Sequence, residues 1–254
     1  MAADEAPWHD AAHGADGAGH FVDSSTLVVA IDGPSGAGKS TVARGVARAL
    51  GCRYLDTGAV YRALTWAVLE RGADPGDEPG VVGVLSDFRL ELSTDPDDVT
   101  VAVGGHDVTA AIRGQAVTAS VSAVSAIPRV RTQLVAMQRS IIGEGGIVVE
   151  GRDIGTVVCP NADVKIFLTA NPAVRATRRF AEDDDPEVDV DAVKADLARR
   201  DRLDSSRVVS PLAAAQDAVL IDSTSMDAGA VIAAVLDIVA ARTEVPSSAP
   251  STQR

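Results

Sequence analysis

The sequence is poor in cysteine, aromatic side chains and positive charge. Its only cysteines, Cys52 and Cys159, are too few for a disulfide framework or a zinc site, so we expect them to be small buried hydrophobes. Aromatic residues make up 3% of the 254 residues, and 23 basic against 36 acidic side chains give a formal net charge of −13. Because nucleic-acid binding draws on clustered basic residues, this charge argues against a nucleic-acid partner. An anionic substrate would have to meet a local basic pocket.

Long apolar runs are also absent from the sequence. No stretch reaches the roughly 18 consecutive apolar residues of a membrane span, and the N-terminal residues lack the basic and apolar segments of a signal peptide. We therefore expect a cytoplasmic protein without a membrane partner. The 46% of apolar residues suffices for one sizeable core. Composition predicts one domain at 26–242 between disordered tails at 1–25, rich in Ala, Gly and Asp, and at 243–254, rich in Ser and Pro.

Residues 33–41 carry the most specific local pattern. They read Gly-Pro-Ser-Gly-Ala-Gly-Lys-Ser-Thr, which fits G-x-x-x-x-G-K-[ST], and they stand between an apolar run at 27–31 and a helical segment at 41–50. Such a loop turns its backbone N–H groups toward a polyphosphate, while Lys39 supplies a mobile positive charge and Ser40 a hydroxyl ligand for Mg²⁺. The pattern predicts a nucleoside triphosphate site formed by Gly33, Pro34, Ser35, Gly36, Ala37, Gly38, Lys39, Ser40 and Thr41.

Apolar runs that suit buried strands alternate with helical segments along the rest of the chain. Beyond the first run, they predict strands at 52–55, 147–149, 164–168 and 218–221. This alternation predicts an α/β fold with a doubly wound parallel sheet and helices on both faces. Apolar residues that recur at every second position predict a small antiparallel insert at about 86–111. Because ligands gather at the carboxyl ends of parallel strands, Gly33, Asp56, Arg152 and Asp153 should share one cleft.

Charged residues near position 200 predict an anion-binding helix face. Arg200, Asp204 and Arg207 follow i, i+4, i+7 spacing, which places two guanidiniums and one carboxylate on one face if the helix continues that far. Such a fork can grip a phosphate and a ribose hydroxyl. The alternative is a solvated, salt-bridged surface helix, and the phosphate-binding loop favours the functional interpretation.

Taken in order, several segments resemble the bacterial cytidylate kinases. They are the loop at 33–41, Tyr-Leu-Asp-Thr-Gly-Ala-Val-Tyr-Arg at 54–62, Pro-Arg-Val-Arg at 128–131, Glu-Gly-Arg-Asp-Ile-Gly-Thr at 150–156 and the charged segment at 200–207. The resemblance covers about 26–241. It implies a P-loop NTPase fold, with the β insert in the monophosphate-binding region and a mobile lid at about 179–199, and it favours a monomer.

The activity implied by the resemblance is direct in-line transfer of a phosphoryl group from ATP, with Mg²⁺, to CMP or dCMP in pyrimidine nucleotide metabolism. The monophosphate is itself a competent nucleophile, so we expect no phosphoenzyme. At matching motif positions, the resemblance implies that the base is read by Ser122, Arg131 and Asp153, and that the ribose is contacted by Asp204 with Thr57. The monophosphate would be clamped by Arg62, Arg152, Arg200 and Arg207. The donor would be bound by Lys39 and Ser40, and Arg178 would contact it from the lid. The resemblance implies that Lys39, Arg152, Arg200 and Arg207 stabilise the charge during transfer.

Two alternatives stay open. The first is a kinase of the same fold that phosphorylates UMP, dTMP, AMP or a non-nucleotide acceptor. The second is a regulatory nucleotide switch. The absence of an Asn-Lys-x-Asp guanine-recognition motif from the sequence argues against it. Thr57 stands where serine is also expected in the family, which leaves the preference between CMP and dCMP open. The acidic run at 182–187 is interpreted as a solvated loop, with a magnesium site as its alternative.

Overall fold

Strands and helices alternate along the chain. The computed structural model describes residues 24–181, 189–207 and 209–243. In chain order its elements are β1 (Val28–Asp32), α1 (Lys39–Leu50), β2 (Arg53–Asp56), α2 (Thr57–Glu70), α3 (Glu78–Ser86), β3 (Leu90–Leu92), β4 (Val101–Val103), β5 (His106–Asp107), α4 (Gln115–Ala126), α5 (Pro128–Ile142), β6 (Ile147–Gly151), β7 (Val164–Thr169), α6 (Pro172–Ala181), α7 (Val190–Ser205), β8 (Val219–Asp222) and α8 (Ala228–Thr243). A 3₁₀ turn at Ala111–Arg113 precedes α4, and a π-helical turn at Ile154–Val158 follows β6.

Parallel strands form the central sheet. In the described residues, five parallel strands follow the order β2-β6-β1-β7-β8, and β3, β4 and β5 form a separate antiparallel sheet. Strand β1 pairs with β6 on one side and with β7 on the other, and Asp32 stands opposite Gly151 in the first of these pairings. The strand order reverses across β1, which opens a crevice at the carboxyl ends of the strands. The predicted parallel sheet and its small antiparallel insert are confirmed.

Apolar side chains cover both faces of the parallel sheet. Along β1, Ala30 belongs to a core cluster with α2, α4 and α5, whereas Val29 and Ile31 belong to a second cluster with α1 and α8. Strand β6 repeats the alternation, because Val149 packs in the first cluster and Val148 in the second. Burial on both faces explains why these strands read as continuous apolar runs.

Local capping signals fix several helix boundaries. Asp56 precedes α2, and its carboxylate accepts the N–H of Ala59 at 3.0 Å. Pro128 opens α5, as its position in the sequence predicts. The sequence pattern did not predict α3, although Asp77 caps it by accepting the N–H of Gly80 at 3.0 Å. Glycines inside this short helix weaken its helical pattern in the sequence.

Helix α7 is shorter than the charged pattern suggested. It ends at Ser205, and Arg207 lies beyond the helix, so Arg200, Asp204 and Arg207 do not share one helix face. This part of the sequence interpretation was wrong, because i, i+7 spacing brings side chains together only while the helix continues. Arg207 nevertheless reaches Asp204 from the following segment.

Three predicted segments fall mainly outside the described residues. These are most of the tail at 1–25, the acidic run at 182–187 within the lid region, and the tail beyond Thr243, which itself ends α8. Helices α6 and α7, which flank the acidic run, pack against each other. Among the residues that the structure describes, no helix combines the length and apolar character needed to span a bilayer.

Candidate active site

A cleft of about 1030 Å³, including its opening to solvent, lies at the carboxyl ends of β1, β2 and β6. Most of the residues predicted for the donor and acceptor sites line it: Ser35, Gly36, Gly38, Lys39, Ser40, Thr41, Thr57, Arg62, Ser122, Arg131, Arg152, Asp153, Arg200, Asp204 and Arg207. Among the predicted residues, Gly33, Pro34, Ala37 and Arg178 do not line this cleft. Of the four residues expected to share one cleft, Asp56, Arg152 and Asp153 line it, whereas the segment of Gly33 lines it through residues 35, 36 and 38–41.

The phosphate-binding loop packs too tightly for side chains at two of its glycines. A Cβ atom at Gly33 would lie 2.0 Å from the carbonyl oxygen of Leu168, and one at Gly36, whose φ is +74°, would lie 2.9 Å from that of Arg175. The Arg175 guanidinium also donates to the carbonyl oxygen of Ser35 at 2.9 Å and pairs with Asp201 at 2.6 Å. Helices α6 and α7 thus hold the loop from behind.

Lys39 is buried beneath the loop. Its Nζ atom donates to the carbonyl oxygen of Pro34 at 2.8 Å, and the residue is only 6% exposed. Burial, reinforced by the positive charge of Arg152, lowers the pKa of Lys39 to about 7. An incoming polyphosphate would favour the protonated amine, because an opposite charge stabilises the charged form.

Glu150 places a carboxylate beside the loop at the end of β6. Its carboxylate accepts hydrogen bonds from the hydroxyl groups of Tyr54 and Ser40. Burial, together with the negative charge of Asp56, raises the pKa of Glu150, while Lys39 opposes the shift. Its carbonyl oxygen accepts the hydroxyl proton of Thr57 at 2.8 Å. In the part of the chain that the structure describes, no group of three or more His, Cys, Asp or Glu side chains forms a metal site.

Arg131 and Asp153 form a buried ion pair on the acceptor side. Their side chains are only 2% and 6% exposed. Arg131 also donates to the carbonyl oxygen of Ser125 at 3.3 Å, and its guanidinium carbon lies 5.3 Å from the centre of the Tyr61 ring. Ser122 lies on α4 and lines the same side of the cleft. A guanidinium and a carboxylate side by side can present both donors and an acceptor to one heterocycle.

Asp204 is a buried carboxylate that joins two arginines on the acceptor side. Arg152 donates to it through Nε at 3.1 Å, and Arg207 donates to its other oxygen. Arg207 also donates to the hydroxyl of Ser125 at 2.8 Å. The Arg207 Nε atom is buried and has no hydrogen-bond partner among the described residues.

Further arginines surround the centre of the cleft. Arg62 donates to Thr118 at 2.9 Å, and Arg113 pairs with Asp56 at 2.7 Å. Burial and repulsion from neighbouring arginines lower the pKa of Arg62 to about 9 and that of Arg200 to about 10, so both remain charged at neutral pH. In all, eight basic and four acidic residues line the cleft, against a net charge of −13 for the chain. The predicted local basic pocket exists, and a bound anion would offset its excess charge.

Arg178 is bonded to the segment after β8 and does not line the cleft. Its guanidinium donates to the hydroxyl and carbonyl oxygens of Ser223, at 2.9 and 2.7 Å, and to the carbonyl oxygen of Met226 at 3.2 Å. Its Nη1 atom lies 4.0 Å from the position of a Cβ built on Gly38, so the side chain stands beside the phosphate-binding loop. The neighbouring Arg179 lines the cleft instead.

The comparisons with known proteins agree with these motifs. The family model described as cytidylate kinase matches residues 29–241. The chain belongs to the cytidylate kinase family. It is 53% identical to the cytidylate kinase of Mycolicibacterium paratuberculosis over 225 residues, covering 87% of this chain and 99% of the relative. It is 49% identical to that of Streptomyces griseus over 217 residues, which cover 85% and 93% of the two chains.

Among solved structures, the chain is similar to a shikimate kinase from Acinetobacter baumannii in complex with shikimate. The TM-score is 0.45 at 17% identity, and the match covers 85% of this chain and 95% of that one. Likeness at this level carries no argument about the acceptor. Membership of the cytidylate kinase family rests on the sequence matches and agrees with the predicted resemblance.

Several residues of this cytidylate kinase site escaped the sequence analysis. Glu150 was interpreted only as part of a motif and Arg113 not at all, whereas Asp56 was expected in the cleft but was given no role there. Arg113 follows the antiparallel insert in the chain, and its partner Asp56 is 57 positions away. No local pattern announces a pair between such distant segments. Glu150 could have been predicted as a site residue. Its carboxylate lies near the end of β6, which pairs with the strand leading into the phosphate-binding loop, and ligands bind at this edge of the sheet.

Proposed function

We propose that the protein transfers the γ-phosphoryl group of ATP to CMP and dCMP, which yields ADP and CDP or dCDP. The observation that carries this proposal is the buried pair of Arg131 and Asp153, set in an arginine-rich cleft beside a phosphate-binding loop. Membership of the cytidylate kinase family supports the same acceptor. Cytosine offers acceptor and donor atoms that a guanidinium and a carboxylate can satisfy, whereas uracil would leave a buried carboxylate facing an acceptor.

On the donor side, backbone N–H groups of the loop at 33–41, except at the position held by Pro34, and the amine of Lys39 would hold the phosphates of ATP. Magnesium fits this site, because Ser40 and Glu150 supply adjacent oxygen atoms and are already hydrogen-bonded to each other. The Ser40 hydroxyl would be a direct ligand, and Glu150 would accept hydrogen bonds from metal-bound water. Bound Mg²⁺ would neutralise charge on the phosphates during transfer.

On the acceptor side, four arginines of the cleft would clamp the monophosphate: Arg62, Arg152, Arg200 and Arg207. Burial holds the pKa of Arg62 and Arg200 below their ordinary range, so a dianionic phosphate would relieve an existing electrostatic cost. Asp204 would accept a ribose hydroxyl while it keeps its two arginine partners, and the oxygen of Thr57 remains able to accept a further hydrogen bond.

The chemical step needs no covalent enzyme intermediate. An oxygen of the acceptor monophosphate would attack the γ-phosphorus, and the bond to the bridging oxygen of ADP would break. The chain's contribution is alignment and stabilisation of charge by Lys39, Arg152, Arg200 and Arg207. Movement of α6 and α7 toward the cleft would exclude water. Arg178 would then have to exchange its hydrogen bonds with Ser223 for bonds to the donor phosphates.

We further propose that the protein works as a monomer in the cytoplasm, on small nucleotides rather than on nucleic-acid polymers or membranes. One chain supplies the groups proposed for the base, the ribose and the monophosphate, which supports a site that is complete within a monomer. The charge of −13 opposes binding to polyanions outside the cleft.

The experiment that tests the acceptor is a panel of initial rates of ADP formation. The enzyme is assayed with ATP and Mg²⁺ against CMP, dCMP, UMP, AMP and dTMP, each beside a control without acceptor. We expect turnover with CMP and dCMP and strong selectivity against the other three. Comparable efficiency with UMP would remove the base-reading role of Arg131 and Asp153. ATP binding without turnover of any of these nucleotides would favour a non-nucleotide acceptor or a nucleotide switch.

Replacement of Arg207 by alanine should weaken CMP binding. We expect a loss of about 1.5 to 3 kcal/mol, the scale of a hydrogen bond to a charged group, with ATP affinity retained. The change removes one of the two arginines on Asp204 and its contact with Ser125. Calorimetric titration with CMP and, separately, with ATP measures both affinities.

The matched control for this change is Arg48→Ala. Arg48 pairs with Asp97 at 2.6 Å on the surface, and both side chains are exposed, so its loss should leave both affinities unchanged. Equal CMP affinity in wild type and Arg207→Ala would show that Arg207 only supports the fold through Asp204 and Ser125.

A further inference from the structure

Asp32 lies between the donor loop and the acceptor residues. It ends β1 directly before Gly33, and the residue is only 4% exposed. Its Oδ1 atom accepts the N–H of Ile154 at 2.8 Å, and its Oδ2 atom accepts the N–H of Gly155 at 2.8 Å. Both carboxylate oxygens therefore hold a segment more than 120 positions away in the chain.

The segment held by Asp32 directly follows Arg152 and Asp153. Ile154 and Gly155 begin the π-helical turn, where backbone N–H groups have no partner within the turn itself. On the other side of Arg152 and Asp153, Gly151 stands opposite Asp32 in the pairing of β1 with β6. One residue thus fixes both ends of this short connection, by its backbone at one end and its side chain at the other.

Asp32 is suited to hold this connection in one position. Burial raises the pKa of Asp32 to about 6, while the two N–H groups and the charge of Lys39 limit the rise. The carboxylate is therefore mainly ionised at neutral pH and accepts from both amides. Charge-assisted hydrogen bonds of this kind are shorter and stronger than neutral ones. The side chain does not line the cleft, so it holds the acceptor residues without touching a substrate, and its charge also acts on Lys39.

We infer that Asp32 is a positioning residue that sets Arg152 and Asp153 in register with the phosphate-binding loop. The inference rests on the proposed function, in which Asp153 contacts the base of the acceptor and Arg152 contacts its monophosphate. A displacement of about 1 Å between aligned reactants can cost on the order of 100-fold in rate. Asp32 thereby contributes to acceptor selectivity without touching the acceptor.

The test is Asp32→Asn, assayed with CMP and UMP as acceptors. Asparagine keeps one accepting oxygen but turns an NH₂ group toward a backbone N–H, so one bond is replaced by a clash of donors. We expect kcat/KM for CMP to fall about 100-fold, and the ratio of CMP to UMP efficiency to fall with it. Asp32→Asn also removes a negative charge that acts on Lys39, so the dissociation constant for ATP, measured by calorimetry without acceptor, should rise, but by far less than the loss of about 100-fold in CMP efficiency.

Asp163→Asn is the matched control. Asp163 also accepts a backbone N–H, that of Val28 at 2.8 Å, but at the opposite end of β1. Its replacement should leave the efficiency with CMP and the selectivity unchanged. A lower unfolding temperature of Asp32→Asn with an unchanged ratio of CMP to UMP efficiency would overturn the inference, because a purely structural role predicts that result.

A second variant covers the case in which Asp32→Asn does not fold. Asp32→Glu keeps the charge and both accepting oxygens but lengthens the side chain by one methylene group, which should displace residues 154 and 155. We expect it to lower the ratio of CMP to UMP efficiency, and wild-type selectivity in this variant would overturn the inference. The wild-type enzyme is assayed alongside: failure of wild type to use CMP contradicts the proposed function, whereas normal wild-type selectivity with unaffected variants contradicts only the role of Asp32.

Discussion

Replacement of Lys39 by methionine should lower kcat about 10²–10³-fold, the range observed when one pre-organised charge or donor is removed from a transition state. Methionine has nearly the same length but carries no charge, so the variant removes the amine beneath the loop with little change in packing. Initial rates of ADP formation at saturating ATP and CMP measure the effect. Exposed Lys194 on α7 provides the control, because Lys194→Met should retain full activity.

The same variant should be more stable than wild type without nucleotide, in a pH-dependent way. Lys39 has a pKa of about 7 in the folded protein against an ordinary value of 10.5, so the unfolded chain binds more protons between these values. Stability of wild type therefore rises with pH across this window, and the cost of burying the charged amine is fully present below pH 7. The excess thermal stability of Lys39→Met should be largest near pH 6 and shrink toward pH 10.

Thermal unfolding at several pH values tests this sign. Lys194→Met, at an exposed position, should follow the wild-type curve throughout. A destabilised Lys39→Met variant at pH 6 would contradict the burial cost and would make the Lys39 contact with Pro34 the dominant effect. Activity and stability are thus expected to move in opposite directions, as they do where a buried charge is kept for function.

Much of the fold could be predicted because its signals are local. Residues 33–41 are specified by glycines whose space is closed by backbone atoms, as at Gly33, and strands such as Ile147–Gly151 are apolar because both sheet faces are covered. The insert was predicted from its period of two. These patterns can be recognised from neighbouring residues along the chain, although the contacts that require them, such as that of Gly33 with Leu168, join distant segments.

The parts that could not be predicted depend on where one segment ends or on what it meets. The end of α7 at Ser205 leaves Arg207 outside the helix, and no residue pattern in the charged segment marks that end. The bonds from Asp32 to residues 154 and 155 join segments that only the parallel pairing of β1 with β6 brings together. Most of the cleft residues belong to motifs that can be recognised in the sequence, but these motifs do not indicate which charges neutralise one another.

Asp153→Ala should separate acceptor recognition from donor binding. The efficiency with CMP should fall about 100-fold, the scale of one or two hydrogen bonds to charged groups, while ATP affinity remains near normal. The selectivity for CMP over UMP should be lost as well, because Asp153 is the carboxylate proposed to meet the donor edge of cytosine. The variant should also lose about 3–5 kcal/mol of stability, since Arg131 would remain buried without its partner.

A double replacement distinguishes these two effects of Asp153. Removing both charges in Arg131→Met with Asp153→Ala should recover part of the lost stability, because no uncompensated charge stays in the interior. It should not recover the efficiency with CMP, because both proposed base contacts are absent. Denaturant unfolding and the acceptor panel, applied to wild type, the single variant and the double variant, measure the two quantities independently. A double variant that regains CMP selectivity together with stability would show that the pair only supports the fold, and a large loss of ATP affinity with CMP affinity intact would place the donor rather than the acceptor beside Asp153.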